Sequence, residues 1–266
     1  MELGLAGRTA LVTGSYRGTG AGIARVLARE GAAVVVHGLE PGQADSVADE
    51  IHAGGGRVFS ASGDVRTEEG ARRTADEALA AAGAIDILVN NYGTASGGGW
   101  LDAPDADWQE MFETNVLSAA RMVRWLVPPM KERGWGRVLF VGTVGNVRPR
   151  AQMPGYYASK ASLPNMTVSL AKELAHTGVT VNHLSPGLIA TAEVRAGLER
   201  RAAKQGWGSD WDEIQRRASV DFMPNPTGRI GTPEEVGALV AFLASDLAGY
   251  VNGADIRIDG GSADCV

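Results

Sequence analysis

A tyrosine and a lysine one helical turn apart are the residues in this sequence best suited to move a proton. Tyr156 and Lys160 lie four positions apart in a predicted helix over 156–176, so their side chains share one helix face. A phenol titrates at about pH 10, whereas a neighbouring ammonium lowers that pKa. The pair therefore suits general acid–base catalysis. By spacing alone, such a pair is also common on helix surfaces.

The elements that position this pair follow from the apolar pattern. Short runs rich in Val, Ile and Leu alternate with helical patterns, which is typical of a parallel sheet buried on both faces. The predicted strands are 9–13, 33–37, 57–60, 85–90, 137–141, 179–184 and 255–258. The predicted helices are 20–30, 68–82, 105–127, 156–176 and 233–243. We predict an α/β fold: a single doubly wound domain over 1–266, with a seven-stranded parallel sheet and helices on both faces.

Thr143 lies just after the fifth predicted strand. Doubly wound sheets bind ligands at the carboxyl ends of their strands, so this hydroxyl is predicted at a ligand site. The stretch 190–228 carries no predicted element, and we expect it to be a loop that covers the substrate. Its Trp207, Trp211 and Phe222 favour either an apolar ligand or a small core within the loop itself.

A glycine-rich turn joins the first strand to the first helix and is the predicted phosphate site. Glycines at such a turn let the backbone approach a pyrophosphate, whose charge a helix N-terminus favours. Their spacing is not G-x-G-x-x-G, and the same glycines also suit a turn without a ligand. Their place after the first strand favours dinucleotide binding. The predicted cofactor contacts here are Gly14, Ser15, Tyr16, Arg17, Gly18, Thr19 and Gly20.

The end of the second strand bears on which dinucleotide is bound. A carboxylate there would bond the ribose 2′-hydroxyl and repel a 2′-phosphate, but His37 and Gly38 are followed by no acid before Glu40. Arg17 is suited to a 2′-phosphate, although arginines are most often solvated. We therefore predict NADP(H) in preference to NAD(H), with His37 and Gly38 beside the cofactor.

An asparagine interrupts an apolar helix stripe. The stripe consists of Trp108, Met111, Phe112, Ala119, Met122 and Val123. Asn115 lies within it, and a buried amide without partners costs about 1–3 kcal/mol. We therefore expect Asn115 to be functional or to be satisfied by neighbouring backbone.

Composition and charge argue against several classes of protein. The net charge of −6, without a long basic run, argues against nucleic-acid binding. Cys265 is the single cysteine, so we predict no intramolecular disulfide and no cysteine metal site, and the four histidines lack metal-ligand spacing. No apolar run reaches the ~20 residues of a membrane span. The first residues lack a basic signal segment, which favours a cytoplasmic location.

Together the motifs resemble the short-chain dehydrogenase/reductase family over essentially the whole chain, and in particular its 3-oxoacyl-[acyl-carrier-protein] reductases. Each motif is modest alone, but their order and spacing are specific. They are Thr13-Gly14-x-x-x-Gly18-x-Gly20, Asp64-Val65, Asn90-Asn91-x-Gly93, Asn115, Thr143, Tyr156-x-x-x-Lys160, Pro186-Gly187 and Gly260-Gly261. The resemblance implies a Rossmann fold.

The resemblance also implies a catalytic set of Tyr156, Lys160, Thr143 and Asn115. Tyr156 would exchange a proton with the substrate oxygen, and Thr143 would bond that oxygen. Lys160 would lower the tyrosine pKa and hold the nicotinamide ribose, while Asn115 would anchor a water of a proton relay. Further cofactor contacts would come from Asp64, Val65, Asn90, Asn91, Tyr92, Gly93, Pro186, Gly187, Ile189 and Thr191.

The pocket residues depart from the family pattern at several positions. Thr143 replaces the usual serine but keeps the hydroxyl, and Gly142 precedes it. Tyr92 replaces a small residue, so we expect it to crowd the cofactor, face the substrate or pack in the core. Pro164 is expected to kink its helix or to free the Lys160 carbonyl.

Two arginines make the stretch 144–155 basic. Arg148 and Arg150 would suit an anionic substrate there, although such side chains are more often solvated.

We predict an oxidoreductase that uses NADP(H) to transfer a hydride to or from a small-molecule carbonyl or secondary alcohol, with 3-oxoacyl thioesters among its candidate substrates. An NAD-dependent sugar, polyol or other alcohol dehydrogenase is the alternative within this class. A non-catalytic dinucleotide-binding regulator is the alternative outside it, and the intact Thr/Tyr/Lys/Asn set argues against it. The helices 105–127 and 156–176 are apolar beyond one face and relatives pair through them, so we expect a homotetramer, with a dimer second.

Overall fold

A seven-stranded parallel sheet forms the centre of the computed structural model, which describes residues 2–264. Its strand order is β3-β2-β1-β4-β5-β6-β7, and each neighbouring pair is parallel. The strands are β1 Thr9–Val12, β2 Ala33–Gly38, β3 Val58–Ser62, β4 Ile87–Asn90, β5 Gly136–Val141, β6 Val179–Pro186 and β7 Asp255–Ile258. The predicted doubly wound α/β fold is confirmed. Cys265, on which the disulfide prediction depended, lies outside the described residues.

Helices cover both faces of the sheet. They are α1 Gly18–Arg29, α2 Asp45–Ala53, α3 Glu68–Ala82, α4 Asp105–Phe112, α5 Ser118–Arg133, α6 Pro154–Glu173, α7 Ala192–Gln205, α8 Trp211–Asp221 and α9 Pro233–Ala244. Side chains alternate along the strands: Ala10 and Val12 join the core under α1, α2 and α9, and Leu11 joins the core under α3, α5 and α6. Within residues 2–264, no helix is both long and apolar enough to cross a membrane.

The strand order reverses between β1 and β4, which are neighbours in the sheet. In an open parallel sheet, the crevice for a ligand lies at the carboxyl ends of the strands at such a reversal. The glycine turn follows β1 there, the Asn90–Gly93 motif ends β4, and Thr143 follows β5. The fold therefore brings these three motifs to one edge.

A π-helical turn interrupts the helix that was predicted over 105–127. α4 ends at Phe112, the π turn spans Glu113–Leu117 with Asn115 at its centre, and α5 begins at Ser118. Such turns occur frequently at functional sites. α5 continues beyond the predicted boundary, through two prolines, to Arg133.

The stretch 190–228 is helical, so the prediction of an irregular loop was wrong. α7 and α8 occupy most of it, and we call these residues the α7–α8 segment. Trp207 is buried in a small core of the segment's own, against which Trp211 and Phe222 pack. These aromatic side chains therefore stabilise the segment, in agreement with the second of the two interpretations offered for them.

The helix that carries Tyr156 and Lys160 passes through a proline. α6 is continuous over Pro154–Glu173, so Pro164 does not end it. Because proline has no N–H, the Lys160 carbonyl loses the donor it would otherwise have four residues on. The short helix α2 was not predicted, since its apolar stripe is only Val47 and Ile51.

Candidate active site

The carboxyl edge of the sheet brings together the side chains with the strongest sequence signal. Thr143 follows β5 and begins a short 3-10 turn. α6 returns to the same edge, where the Lys160 ammonium donates to the carbonyl of Val141, the last residue of β5, at 3.1 Å. The Thr143 hydroxyl accepts the Gly145 N–H at 3.1 Å and lies beside the Tyr156 phenol, whose charged form it favours. A hydroxyl, a phenol and an ammonium therefore lie at the same edge of the sheet.

The phenol of Tyr156 has a raised pKa. Burial raises the pKa of Tyr156 to about 12, and the Thr143 hydrogen bond opposes that rise without cancelling it. The predicted lowering of this pKa by Lys160 is therefore not found. The physical reason is desolvation, which penalises the phenolate more than the neighbouring polar groups favour it.

Lys160 is buried, and its burial lowers the pKa of its ammonium to about 8. Gly93 lies directly against it: a Cβ on Gly93 would stand 2.8 Å from Lys160 Nζ and 2.5 Å from Asn115 Oδ1. A side chain at position 93 would therefore displace both groups, and this explains the glycine of the Asn-Asn-x-Gly motif.

The Asn115 amide is satisfied by protein groups. Its oxygen accepts the Thr94 N–H at 3.2 Å, and its nitrogen donates to the Thr94 carbonyl at 3.1 Å and to the Ser159 hydroxyl at 3.2 Å. Ser159 in turn donates to the Tyr156 carbonyl at 2.8 Å. Sequence reasoning missed Ser159, although its place just before Lys160 and one turn from Tyr156 was an available signal.

The glycine turn after β1 has the geometry of a phosphate-binding turn. Gly14 and Gly18 have φ values of 64° and 59°, in the left-handed region. Arg17 is the extended N-cap of α1, and in the described structure no side chain caps this helix. A Cβ on Gly20 would lie 2.5 Å from the Asn91 amide nitrogen. The first N–H groups of α1 can therefore bind an anion, and these residues fit a dinucleotide pyrophosphate.

A buried histidine supports this turn. His37 Nδ1 accepts the Gly14 N–H at 2.9 Å and Nε2 lies 2.9 Å from the Gly63 carbonyl, so the neutral ring carries its proton on Nε2. Ser15 Oγ accepts the His37 N–H and donates to the Val12 carbonyl. His37 and Ser15 are fully buried, so their side chains shape the turn instead of facing the cofactor as predicted. Burial lowers the pKa of His37 to about 4.

The loop after β4 lies against the glycine turn. Asn91 donates to the Thr13 carbonyl at 2.9 Å, and the Tyr92 N–H donates to the Thr13 hydroxyl at 3.0 Å. The Tyr92 ring packs partly into the core, and its Cα would lie 3.1 Å from a Cβ on Gly14. Asn90 is buried, and neither polar atom of its amide has a partner among the described residues.

Asp64 and Val65, both predicted as cofactor contacts, differ in their surroundings. Arg66 bonds the Asp64 carboxylate at 2.8 and 2.9 Å, which lowers the pKa of Asp64. Val65 is fully buried in the core, so its side chain packs there. In the described part of the chain, no three His, Cys, Asp or Glu side chains cluster as metal ligands would.

The segment after β6 crosses the glycine turn. Pro186 ends β6, and Thr191 is the N-cap of α7, with its Cγ2 3.5 Å from where a Cβ on Gly18 would lie. Gly187 and Ile189 lie between them, and Ile189 is buried. Three further residues were predicted to contact the cofactor. Tyr16 lies in the glycine turn, Thr19 lies in the first turn of α1, and Gly38 ends β2.

Known proteins share this architecture. Residues 14–263 match the family model described as enoyl-(acyl carrier protein) reductase. D-beta-hydroxybutyrate dehydrogenase of Cupriavidus necator is 37% identical over 97% of this chain and 98% of its own. The structure of L-sorbose reductase from Gluconobacter frateurii with NADPH and L-sorbose has a TM-score of 0.92 at 32% identity, covering 100% of both chains. A 3-oxoacyl (acyl-carrier-protein) reductase from Agrobacterium tumefaciens C58 with NADP bound has a TM-score of 0.86 at 36% identity, covering 98% of this chain and 96% of that one.

The chain is a member of the short-chain dehydrogenase/reductase family. The predicted resemblance and enzyme class are confirmed: the protein is an oxidoreductase acting on CH–OH groups and their carbonyl counterparts.

In this short-chain dehydrogenase/reductase, a buried histidine explains the glycine at position 142. His183 in β6 is fully buried, and a Cβ on Gly142 would lie 2.1 Å from its Nε2. Its Nδ1 bonds Asp255 at 2.7 Å, and Asp255 also accepts hydrogen bonds from Ser185 and Asn146. The network fixes the ring, so residue 142 must lack a side chain. Sequence reasoning, which considered the histidines only as metal ligands, missed this network.

The two arginines after Thr143 contact the α7–α8 segment. Arg148 donates to the Pro224 carbonyl at 3.2 Å and Arg150 to the Phe222 carbonyl at 2.8 Å. The Arg150 guanidinium also lies 4.4 Å from the centre of the Phe222 ring. Both arginines therefore join the loop after β5 to the end of α8.

We expect His37 to make the fold sensitive to acid. Its pKa is about 4 in the folded protein against 6.5 for an ordinary histidine, so only the unfolded chain takes up this proton as the pH falls between those values. Stability that is complete above about pH 6.5 should be lost by up to about 3 kcal/mol on approaching about pH 4. Urea unfolding across this range measures the loss. His37→Asn, which offers Gly14 another acceptor, should lack this component, and an identical pH dependence in both proteins would contradict the assignment.

The contact of Gly142 with His183 makes a second prediction about stability. Gly142→Ala should lower the free energy of unfolding by about 1–3 kcal/mol, because the new methyl meets a ring that cannot move. His183→Ala should make room for it, so the two changes together should cost less than the sum of each alone, as measured by denaturant unfolding. Gly197→Ala is the matched control, since the nearest atom to an added Cβ there, Arg200 Nη2, would be 3.9 Å away. Strict additivity of the first two changes would show that no clash exists.

Proposed function

We propose that the protein is an NADP(H)-dependent ketone reductase. The observation that carries this proposal is the Tyr156 phenol, which a pKa of about 12 keeps protonated beside the Thr143 hydroxyl. Reduction of a carbonyl requires a proton for the oxygen, and a neutral phenol holds that proton ready. Oxidation of an alcohol would require the phenolate. In this state the site holds the proton that reduction of a carbonyl consumes.

We assign each residue of the site a separate role in this reaction. A bound reduced nicotinamide supplies the hydride to the carbonyl carbon. Thr143 donates a hydrogen bond to the substrate oxygen, and Tyr156 gives that oxygen its proton as negative charge develops there. Lys160, which donates to the Val141 carbonyl at this edge, would hold the nicotinamide ribose. Asn115 positions the loop after β4 and, through Ser159, the turn of α6 that carries Tyr156.

The cofactor proposal depends on the residues that would meet the 2′ position. β2 ends at Gly38 without a carboxylate, and Arg17 extends from the glycine turn. The L-sorbose and 3-oxoacyl reductases were solved with NADPH and NADP, which supports the same choice. The proposed contacts are the glycine turn, Gly38, Asp64, Asn90, Asn91, Tyr92, Gly93, Pro186, Gly187, Ile189 and Thr191. NAD(H) is the second candidate, because Arg17 is paired with Glu193.

The substrate we propose is a ketone of moderate size, with a 3-oxoacyl thioester first and a sugar second. The support is the chemistry that the names of the related proteins print. The α7–α8 segment is proposed to cover it, since the segment contacts both the glycine turn and the loop after Thr143.

A homotetramer in the cytoplasm completes the proposal. The helices α5 and α6 support it, because a surface cleft at these helices has an apolar part as well as a polar one. The apolar lining is Ala120, Val123, Phe140 of β5, Met166 and Leu170, and the polar lining is Asn165, Ser169 and Glu173. Val168 on α6 and Leu117 before α5 are also exposed, at 40% and 43%. Apolar side chains on two neighbouring helices are suited to pack against a second copy.

Tyr156→Phe tests the proton donor. We expect the variant to bind NADPH like the wild type and to lose at least about 100-fold in turnover, since general acid catalysis contributes about 10²–10⁴-fold. NADPH oxidation is measured with ketones, 3-oxoacyl thioesters, quinones and sugars. Tyr157→Phe is the matched control. It removes the same hydroxyl from a ring whose centre lies 5.2 Å from that of Tyr156, and turnover should be unchanged. Turnover that survives in Tyr156→Phe would overturn the assignment.

The rate of reduction should depend on pH through Lys160. Its pKa of about 8 in the ligand-free protein means that the ammonium loses its charge as the pH rises through that value, so kcat/KM for NADPH should fall above about pH 8. A pH profile of kcat/KM for NADPH measures this. In Lys160→Arg the guanidinium stays charged, so the profile should lose that fall whatever its absolute rate. A fall that persists unchanged in the variant would assign it to another group.

A further inference from the structure

An exposed ion pair joins the glycine turn to the α7–α8 segment. Arg17 Nη1 lies 2.6 Å from Glu193 Oε1. Arg17 is the N-cap of α1, and Glu193 belongs to the first turn of α7. The two side chains are 58% and 51% exposed, so a ligand can reach them. The pair therefore connects the proposed cofactor turn with the proposed substrate cover.

The Glu193 carboxylate is charged at neutral pH. Its own backbone N–H lowers the pKa of Glu193, and the Thr191 hydroxyl and Arg17 lower it further. Arg17 carries a single positive charge, and its guanidinium also lies 5.3 Å from the centre of the Tyr16 ring. Much of the attraction of Arg17 for any other anion is therefore cancelled by a carboxylate in direct contact.

We propose that Glu193 sets the cofactor preference by competing with the 2′-phosphate of NADP(H) for Arg17. This inference rests on the proposed function, in which Arg17 meets that phosphate. A phosphate forms charge-assisted hydrogen bonds with a guanidinium, as a carboxylate does, so each anion weakens the binding of the other. NAD(H) lacks the 2′-phosphate and leaves the ion pair intact. Glu193 therefore lowers the affinity for NADP(H) selectively.

The same competition links the cofactor to the substrate cover. Glu193 is anchored on α7, so a 2′-phosphate that takes Arg17 also removes a contact between the glycine turn and the first turn of that helix. NADP(H) and NAD(H) would then leave the α7–α8 segment held differently. An ion pair this exposed changes an equilibrium constant by at most about fivefold, which sets the size of the effect.

A set of four variants tests this competition. Glu193→Gln removes the charge and keeps the shape, Arg17→Ala removes the contested group, and the double variant combines them. Glu199→Gln is the matched control: it removes the same charge from α7, where Glu199 pairs with Arg195 at 3.1 Å within the helix. Dissociation constants of NADPH and NADH are measured by isothermal titration calorimetry, without turnover.

We expect Glu193→Gln to lower the dissociation constant of NADPH relative to that of NADH by about three- to fivefold. Glu199→Gln should leave that ratio unchanged, and the effect should vanish when Arg17 is alanine. An unchanged ratio in Glu193→Gln, or a change that persists without Arg17, overturns the inference. If Arg17→Ala alone leaves the ratio of the NADPH and NADH dissociation constants unchanged, both the competition and the NADP(H) proposal fail. If Arg17→Ala lowers NADPH affinity selectively while Glu193→Gln does nothing, the competition alone is refuted.

Discussion

The side-chain amide of Asn115 joins three elements that are far apart in the chain: the π turn, the loop after β4 and α6. An unpaired buried amide costs about 1–3 kcal/mol, so the bonds of Asn115 favour one separation of these elements. Lys160 and the backbone of Gly93 fit within that separation, where a single added methyl would not. Through Ser159, the same amide holds the turn of α6 that carries Tyr156. The position of the proposed proton donor thus depends on a neighbouring hydrogen-bond network.

Much of the fold could be predicted because its strands are buried on both faces. Runs such as Ala33–Gly38 are apolar at every position but the end, and their alternation with helices indicates a parallel sheet. The edge that carries the site followed from the same reasoning, since glycines and polar residues come where these runs stop. The α7–α8 segment was missed because its apolar residues are sparse and pack around Trp207 only after both helices meet.

The site shows a second limit of sequence reasoning, which concerns the environment of a group rather than its position. Tyr156 and Lys160 were correctly placed on one helix face, but the shift in the phenol pKa is governed by burial. His37 and His183 give a similar lesson. Neither has metal-ligand spacing, yet each ring is fully buried: the His37 ring bonds the glycine turn, and the His183 ring lies against Gly142. The reason for Gly142 lies in a strand some forty residues on, which no local motif shows.

The π turn has a consequence for the register of the helix that contains it. Such a turn uses one residue more than the α-helical turn it replaces, and one residue corresponds to about 100° of rotation about the helix axis. Met111 before the turn and Met122 after it are both fully buried. Removing one residue from Glu113–Leu117 would swing the face of α4 around the axis relative to α5, so the length of this stretch is as constrained as its composition.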